Sequence, residues 1–135
     1  MGPMPDASGA ALAASHAQAQ QSQSEWTALK AMAGAGELRF EPAAAERCAQ
    51  VCQEAAGQID DQLLDARRLS YVEGFGDTSV GRALAGKFSK KADEAVAVLQ
   101  AHRQVLWDMR DTYRAAGKAY AQAEAGNQAR FGSAG

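Results

Sequence analysis

The sequence predicts an all-α protein. The expected architecture is a long antiparallel helical hairpin with a weakly structured or short-helical amino-terminal extension, completing a four-helix bundle by association. Three observations carry this expectation. No proline interrupts the run from Thr78 to Glu124, and Leu84, Phe88, Ala92, Ala95, Leu99, His102, Leu106, Met109, Tyr113, Ala116, Tyr120 and Ala123 follow one another in it at steps of three and four. That spacing puts them on one helical stripe. A second stripe of the same period runs through Ala45, Cys48, Cys52, Ala55, Ile59, Leu63, Ala66 and Leu69. Between the two, Glu73-Gly74-Phe75-Gly76-Asp77 breaks both patterns, and long helices joined by a short connection pack antiparallel.

Composition agrees. The chain has 135 residues, enough for one domain at most, and although 47% are hydrophobic, many of these are alanines. With four Phe, three Tyr and two Trp, a thick core is not available, and close helix packing through small side chains suits the chain better than a sheet. Of the three prolines two stand within the first five residues, leaving the middle free for helices.

In chain order, residues 1–39 form the extension, rich in Ala, Gln, Ser and Gly, flexible or partly helical. Within it Trp26, Leu29 and Met32 make one amphipathic turn or two, ended by Gly34-Ala35-Gly36. Phe40-Glu41-Pro42 opens helix one, expected over about 42–71, because proline suits the first helical position. Arg67 and Arg68 near its end complement the helix dipole. The turn occupies 72–77, where Gly74, Phe75 and Gly76 permit the reversal and Asp77 or Thr78 caps the next helix. Helix two runs over about 78–124, roughly 70 Å at 1.5 Å per residue, too long to stand without a partner along its length. Gly81 and Gly86 early in it imply close backbone approach to helix one. Residues 126–135 are read as a flexible tail.

The side chains expected to pack the hairpin or a dimer are Ile59, Leu63, Leu84, Phe88, Leu99, Leu106, Met109 and Tyr113. Two helices bury one stripe each, so a second copy, another hairpin or the amino-terminal segment is needed to complete a bundle. Trp26 is a candidate partner contact, and so is Trp107, which helical spacing surrounds with Arg103, Arg110 and Asp111 away from the main stripe.

Chemistry is sparse. No nucleophile context, phosphate loop after a strand or His-Glu-x-x-His is present, so the chain does not read as an enzyme. Cys48 and Cys52 share a helix face and are expected as buried reduced thiols, while His102 falls on the apolar stripe. These three are the candidates for a metal-binding alternative, and no cofactor is expected. A net charge of −2 with acids and bases interspersed favours neither nucleic acid nor an anionic membrane. Neither a classical signal peptide nor a membrane-spanning segment is read.

Near the carboxy terminus, Tyr120-Ala-Gln-Ala-Glu124 has the form Tyr-x-x-x-Glu, one turn apart on one helix face. The order of helix, glycine-and-aromatic turn, second helix and Tyr-x-x-x-Glu resembles the small helical-hairpin substrates of actinobacterial type VII (ESX) secretion, the WXG-type proteins and their relatives. The likeness covers about Phe40 to Glu124. The turn lacks Trp-x-Gly and some forty residues precede helix one, so the chain resembles an atypical member. The resemblance implies hairpins that pair with themselves or a related hairpin into four-helix bundles, with Tyr120 and Glu124 as the signal read by the secretion ATPase. It makes Gly74-Phe75-Gly76 the counterpart of the Trp-x-Gly turn. It also implies a protein cytoplasmic before export and then secreted or held in the cell envelope by a non-classical route. The alternative expectation is a cytoplasmic adaptor or chaperone-like bundle that partners a larger secreted effector.

Overall fold

The computed structural model describes residues 7–71 and 73–133. The first residues of the expected extension, Val72 of the expected turn and the end of the expected tail lie outside them. Among the described residues the protein is all-α, 88% helical and without strands. The helices are α1 (Ala7–Gly34), α2 (Pro42–Leu69) and α3 (Ser79–Ser133). The chain folds as two compact units. The first takes α1 as far as Gln21 together with Gly57–Arg103, and the second takes Ser22–Ala56 together with the chain from Gln104 on.

In the first unit the buried side chains are small or medium: Ala19 of α1, Leu63 of α2, Ala92 and Val98 of α3. Polar contacts supplement this thin core. Ser15 Oγ and His102 Nε2 are hydrogen-bonded at 3.0 Å, joining α1 to α3. Arg103 donates to Asp60 at 2.6 Å, joining α2 to α3. At the end of α2 the Ser70 hydroxyl donates to Asp93 at 2.9 Å, while Ser89 donates to the Ser70 carbonyl at 2.7 Å. The Arg67 and Arg68 carbonyls of α2 accept the Ser70 and Tyr71 amides in a tightened last turn, and α3 meets the Ser70 carbonyl just past the helix.

The connection that follows depends on its glycines, since Gly74 and Gly76 have φ of +100° and +80°. Thr78 is the cap of α3: its hydroxyl accepts the Gly81 amide at 3.0 Å and its carbonyl accepts the Arg82 amide at 2.9 Å. A Cβ at Gly81 would overlap the Phe75 carbonyl oxygen. Gly81 therefore makes room for the connection, not for helix one as its position suggested, and Gly86 has open space where a side chain would go.

The second unit begins with a left-handed stop to α1. Gly36, at φ +80°, donates to Ala33 O while Glu37 N–H reaches Met32 O, the Schellman arrangement that satisfies the last carbonyls. Glu41 then caps α2, its carboxylate accepting the Ala43 and Ala44 amides at 3.0 and 2.8 Å ahead of Pro42 at the first helical position. Phe40 N–H donates to Ala116 O at 3.1 Å, tying the α1–α2 connection to α3. Behind it Ala45, Ala49, Cys52, Ala56, Val105, Ala116 and Ala119 are buried. Backbones come close here: a Cβ on Gly117 would stand 3.1 Å from Ala45 Cβ and 3.5 Å from Pro42 Cα.

Three expectations about the elements differ from what is found. α1 is one continuous helix of 28 residues, not a turn or two around Trp26. Its alanines and glutamines are good helix formers, and Ala19 and Ala33 are buried, each within its own unit. α3 does not end at Glu124 but continues to Ser133, since Gly126 raises the cost of the helix by only about 1 kcal/mol without blocking it. Lastly, the packing stripe is buried unevenly. Leu63 is buried, Ile59, Leu99, Leu106, Met109 and Tyr113 are half-buried, and Leu84 and Phe88 are 40% and 54% exposed. At about 100° per residue these positions stay close to one face, so the unequal burial reflects what is packed against each stretch of it.

Candidate functional site

Tyr120 and Glu124 lie on α3 in the second unit, and both are exposed, Tyr120 at 36%. Their helix is seated by the residues just before them: Ala116, Gly117 and Ala119 are buried, and Gly117 lies against the start of α2. By helical spacing Tyr120 continues the packed face between the positions of Ala116 and Gly117, and it is exposed beyond the start of α2, with Glu124 one turn further on. Beside them a cleft of about 230 Å³ is lined by Pro42, Ala45, Glu46, Arg114, Gly117 and Lys118. Arg114 donates twice to the Glu46 carboxylate, at 3.1 and 3.2 Å. The Glu46 hydrogen bond holds the guanidinium still further above its ordinary pKa.

Phe75 of the glycine turn belongs to the first unit and is partly exposed. Its ring stacks on Phe88 with centroids 5.5 Å apart and planes at 17°. Trp26 is half-buried and packs on Tyr113, whose other neighbour is Phe40; the centroid distances are 5.7 and 5.8 Å. This tryptophan is thus an internal contact of the second unit. Trp107 is half-buried. Arg110, placed beside it by spacing, is engaged with Asp111 and Gln53.

Both cysteines are free thiols, but only Cys52 is buried, and Cys48 is exposed, in contrast to the expected buried pair. Burial pushes the Cys52 thiol above its ordinary pKa, and the Cys48 charge adds to the shift. Burial likewise raises the Tyr113 phenol. Cys48 and Cys52 belong to the second unit and His102, bonded to Ser15, to the first. Among the described residues no three His, Cys, Asp or Glu side chains converge to hold a metal ion.

Sequence reasoning did not single out Thr112, which is wholly buried and donates to Asp108 O at 2.7 Å and to Trp26 O at 3.4 Å. A threonine inside a helical pattern carries no local sign of that role. Among the described residues no helix is long and apolar enough to cross a membrane. Comparison with known proteins finds no family model, curated relative or solved structure that matches the chain.

Proposed function

We propose that this chain is a non-enzymatic substrate of a type VII (ESX-like) secretion system, an atypical relative of the WXG-type hairpin proteins. In this reading α2 and α3 are the hairpin, and the chain is exported folded, paired with a second copy or a related hairpin. Tyr120 and Glu124 are the signal engaged by the secretion ATPase. The observation that supports it is the exposure of both side chains, one turn apart, on a helix packed against α2 just before them. An exposed ring and a carboxylate one turn apart offer a partner an apolar anchor and a charge-assisted contact. Had Tyr120 been consumed in the core as a continuation of its stripe, neither would be available.

The deciding experiment follows the untagged protein in its native host, cell pellet against culture filtrate, with and without the secretion ATPase. The expected result is filtrate protein that disappears without the ATPase, and loss of export for Tyr120→Ala and Glu124→Ala variants that retain full helicity. Protein confined to the cells in both strains, or normal export of both variants, would overturn the reading.

A further inference from the structure

Charge is not spread evenly along this chain. Residues 67–91 hold six of its fourteen bases, Arg67, Arg68, Arg82, Lys87, Lys90 and Lys91, but only two of its sixteen acids, Glu73 and Asp77. A local charge of +4 is concealed within a net charge of −2. The same segment carries half of the large hydrophobic side chains exposed among the described residues: Leu69, Tyr71, Phe75, Val80, Leu84 and Phe88.

On α3 these two properties fall on one face. Val80, Leu84 and Phe88 follow at steps of four, Lys87 and Lys91 lie within the same stripe, and Lys90 stands at its edge. Val80, Ala83, Leu84 and Lys87 line one shallow depression. The Phe75 ring, stacked on Phe88, extends the apolar surface into the connection. Glu94 lies farther along, 3.4 Å from Lys91, so these two charges offset each other and Lys87 and Lys90 carry the positive charge of the face.

Such a face needs apolar surroundings for its rings and branched side chains and anions at the level of its ammonium groups. Water hydrates the ammonium groups but offers the apolar side chains nothing. The boundary region of an anionic bilayer meets both, because lysine stems lie along apolar surface while their heads reach lipid phosphates. We propose that the amino-terminal face of α3, together with Phe75, docks on the surface of anionic lipid bilayers. This docking does not depend on whether the chain is exported.

The test uses the full chain and sedimentation with vesicles of phosphatidylcholine alone or of phosphatidylcholine mixed with phosphatidylglycerol. The protein is expected to pellet with the mixed vesicles and not with the neutral ones, and to be released by added salt. Lys87→Glu/Lys90→Glu and Leu84→Ser/Phe88→Ser should each lower the partition coefficient by about tenfold or more. All four side chains are exposed, so the fold is expected to survive, with circular dichroism as the check. No pelleting with the mixed vesicles, equal pelleting with both compositions, or a charge variant that binds like the parent would each overturn the proposal. A concentration-dependent mass in vesicle-free solution that Leu84→Ser/Phe88→Ser abolishes would overturn it as well, because the face would then be a contact between copies.

Discussion

The two ends of α3 carry comparable apolar residues and treat them differently. In the first unit, from Ser79 to Lys91, the buried position is Gly81, while Val80, Leu84 and Phe88 are exposed. In the second, from Gln104 to Tyr120, Val105, Thr112, Ala116, Gly117 and Ala119 are buried and Tyr113 is covered by Trp26 and Phe40. Phe88 and Tyr113 are both aromatic residues on one helix, yet Phe88 meets a single ring from a connection and Tyr113 meets one ring from α1 and one from the α1–α2 connection. A helical stripe reports which side chains share a face; burial depends on what is brought against that face.

The sharpest probe of the open face is to truncate the same residue type where the first unit covers it, on α2, and where the first unit leaves it open, on α3. Leu63→Ala, at a side chain 1% exposed, should cost about 2–5 kcal/mol in urea unfolding. Leu84→Ala, at 40% exposure, should change stability by no more than about 0.5 kcal/mol. Equal losses would mean that Leu84 is covered in solution.

Glycines provide the next contrast, with opposite signs expected. Gly117→Val puts branched volume where even a Cβ stands 3.1 Å from Ala45, and should destabilise by about 1–3 kcal/mol. Gly86→Ala adds a methyl into open space in a helix and should stabilise by up to about 1 kcal/mol. Thermal or urea midpoints moving in the same direction would show that the α2–α3 approach at Gly117 is not tight.

The smallest effect concerns the cap of α2. Hydrogen bonds from the Ala44 and Ala43 amides lower the Glu41 pKa below its ordinary 4.5. A carboxylate with a depressed folded-state pKa favours the fold above its unfolded value, and that contribution is lost as pH falls from about 4.5 through the lowered value. Glu41→Gln should therefore flatten the acid limb of the stability curve while leaving α3 and the first unit unaffected. An acid limb identical to the parent's would remove Glu41 from the cap.

Much of the local structure was legible because it is written in neighbouring residues. Proline at 42 opening a helix, Asp77 or Thr78 capping the next one, and glycines at 74 and 76 permitting the reversal each answer a backbone demand within a few positions; α2 starts at Pro42, Thr78 is the cap and both glycines have positive φ, whereas the Glu41 cap was not anticipated. Tyr120 and Glu124 could be placed on a shared helix face for the same reason. Their exposure could not, because periodicity put Tyr120 on the packed face and only the structure shows that Gly117 already meets the first residue of α2, leaving less to cover the next turn. The length of α1 was underestimated because its alanines and glutamines give almost no amphipathic signal, and a helix of that composition is held by where it lands.

Sequence alone determined the helical class of the chain, the stripes, the caps and the glycine turn, since each follows from dihedral preference and hydrogen bonding over a few residues. Tertiary structure alone decided that α1 contributes to both units, that Gly81 yields to its own connection and Gly117 to α2, and that Leu84 and Phe88 stay in the open. Those outcomes depend on contacts between segments far apart in the chain, and close packing of alanine-rich helices is set by which backbones meet, a property that no single stretch of residues carries.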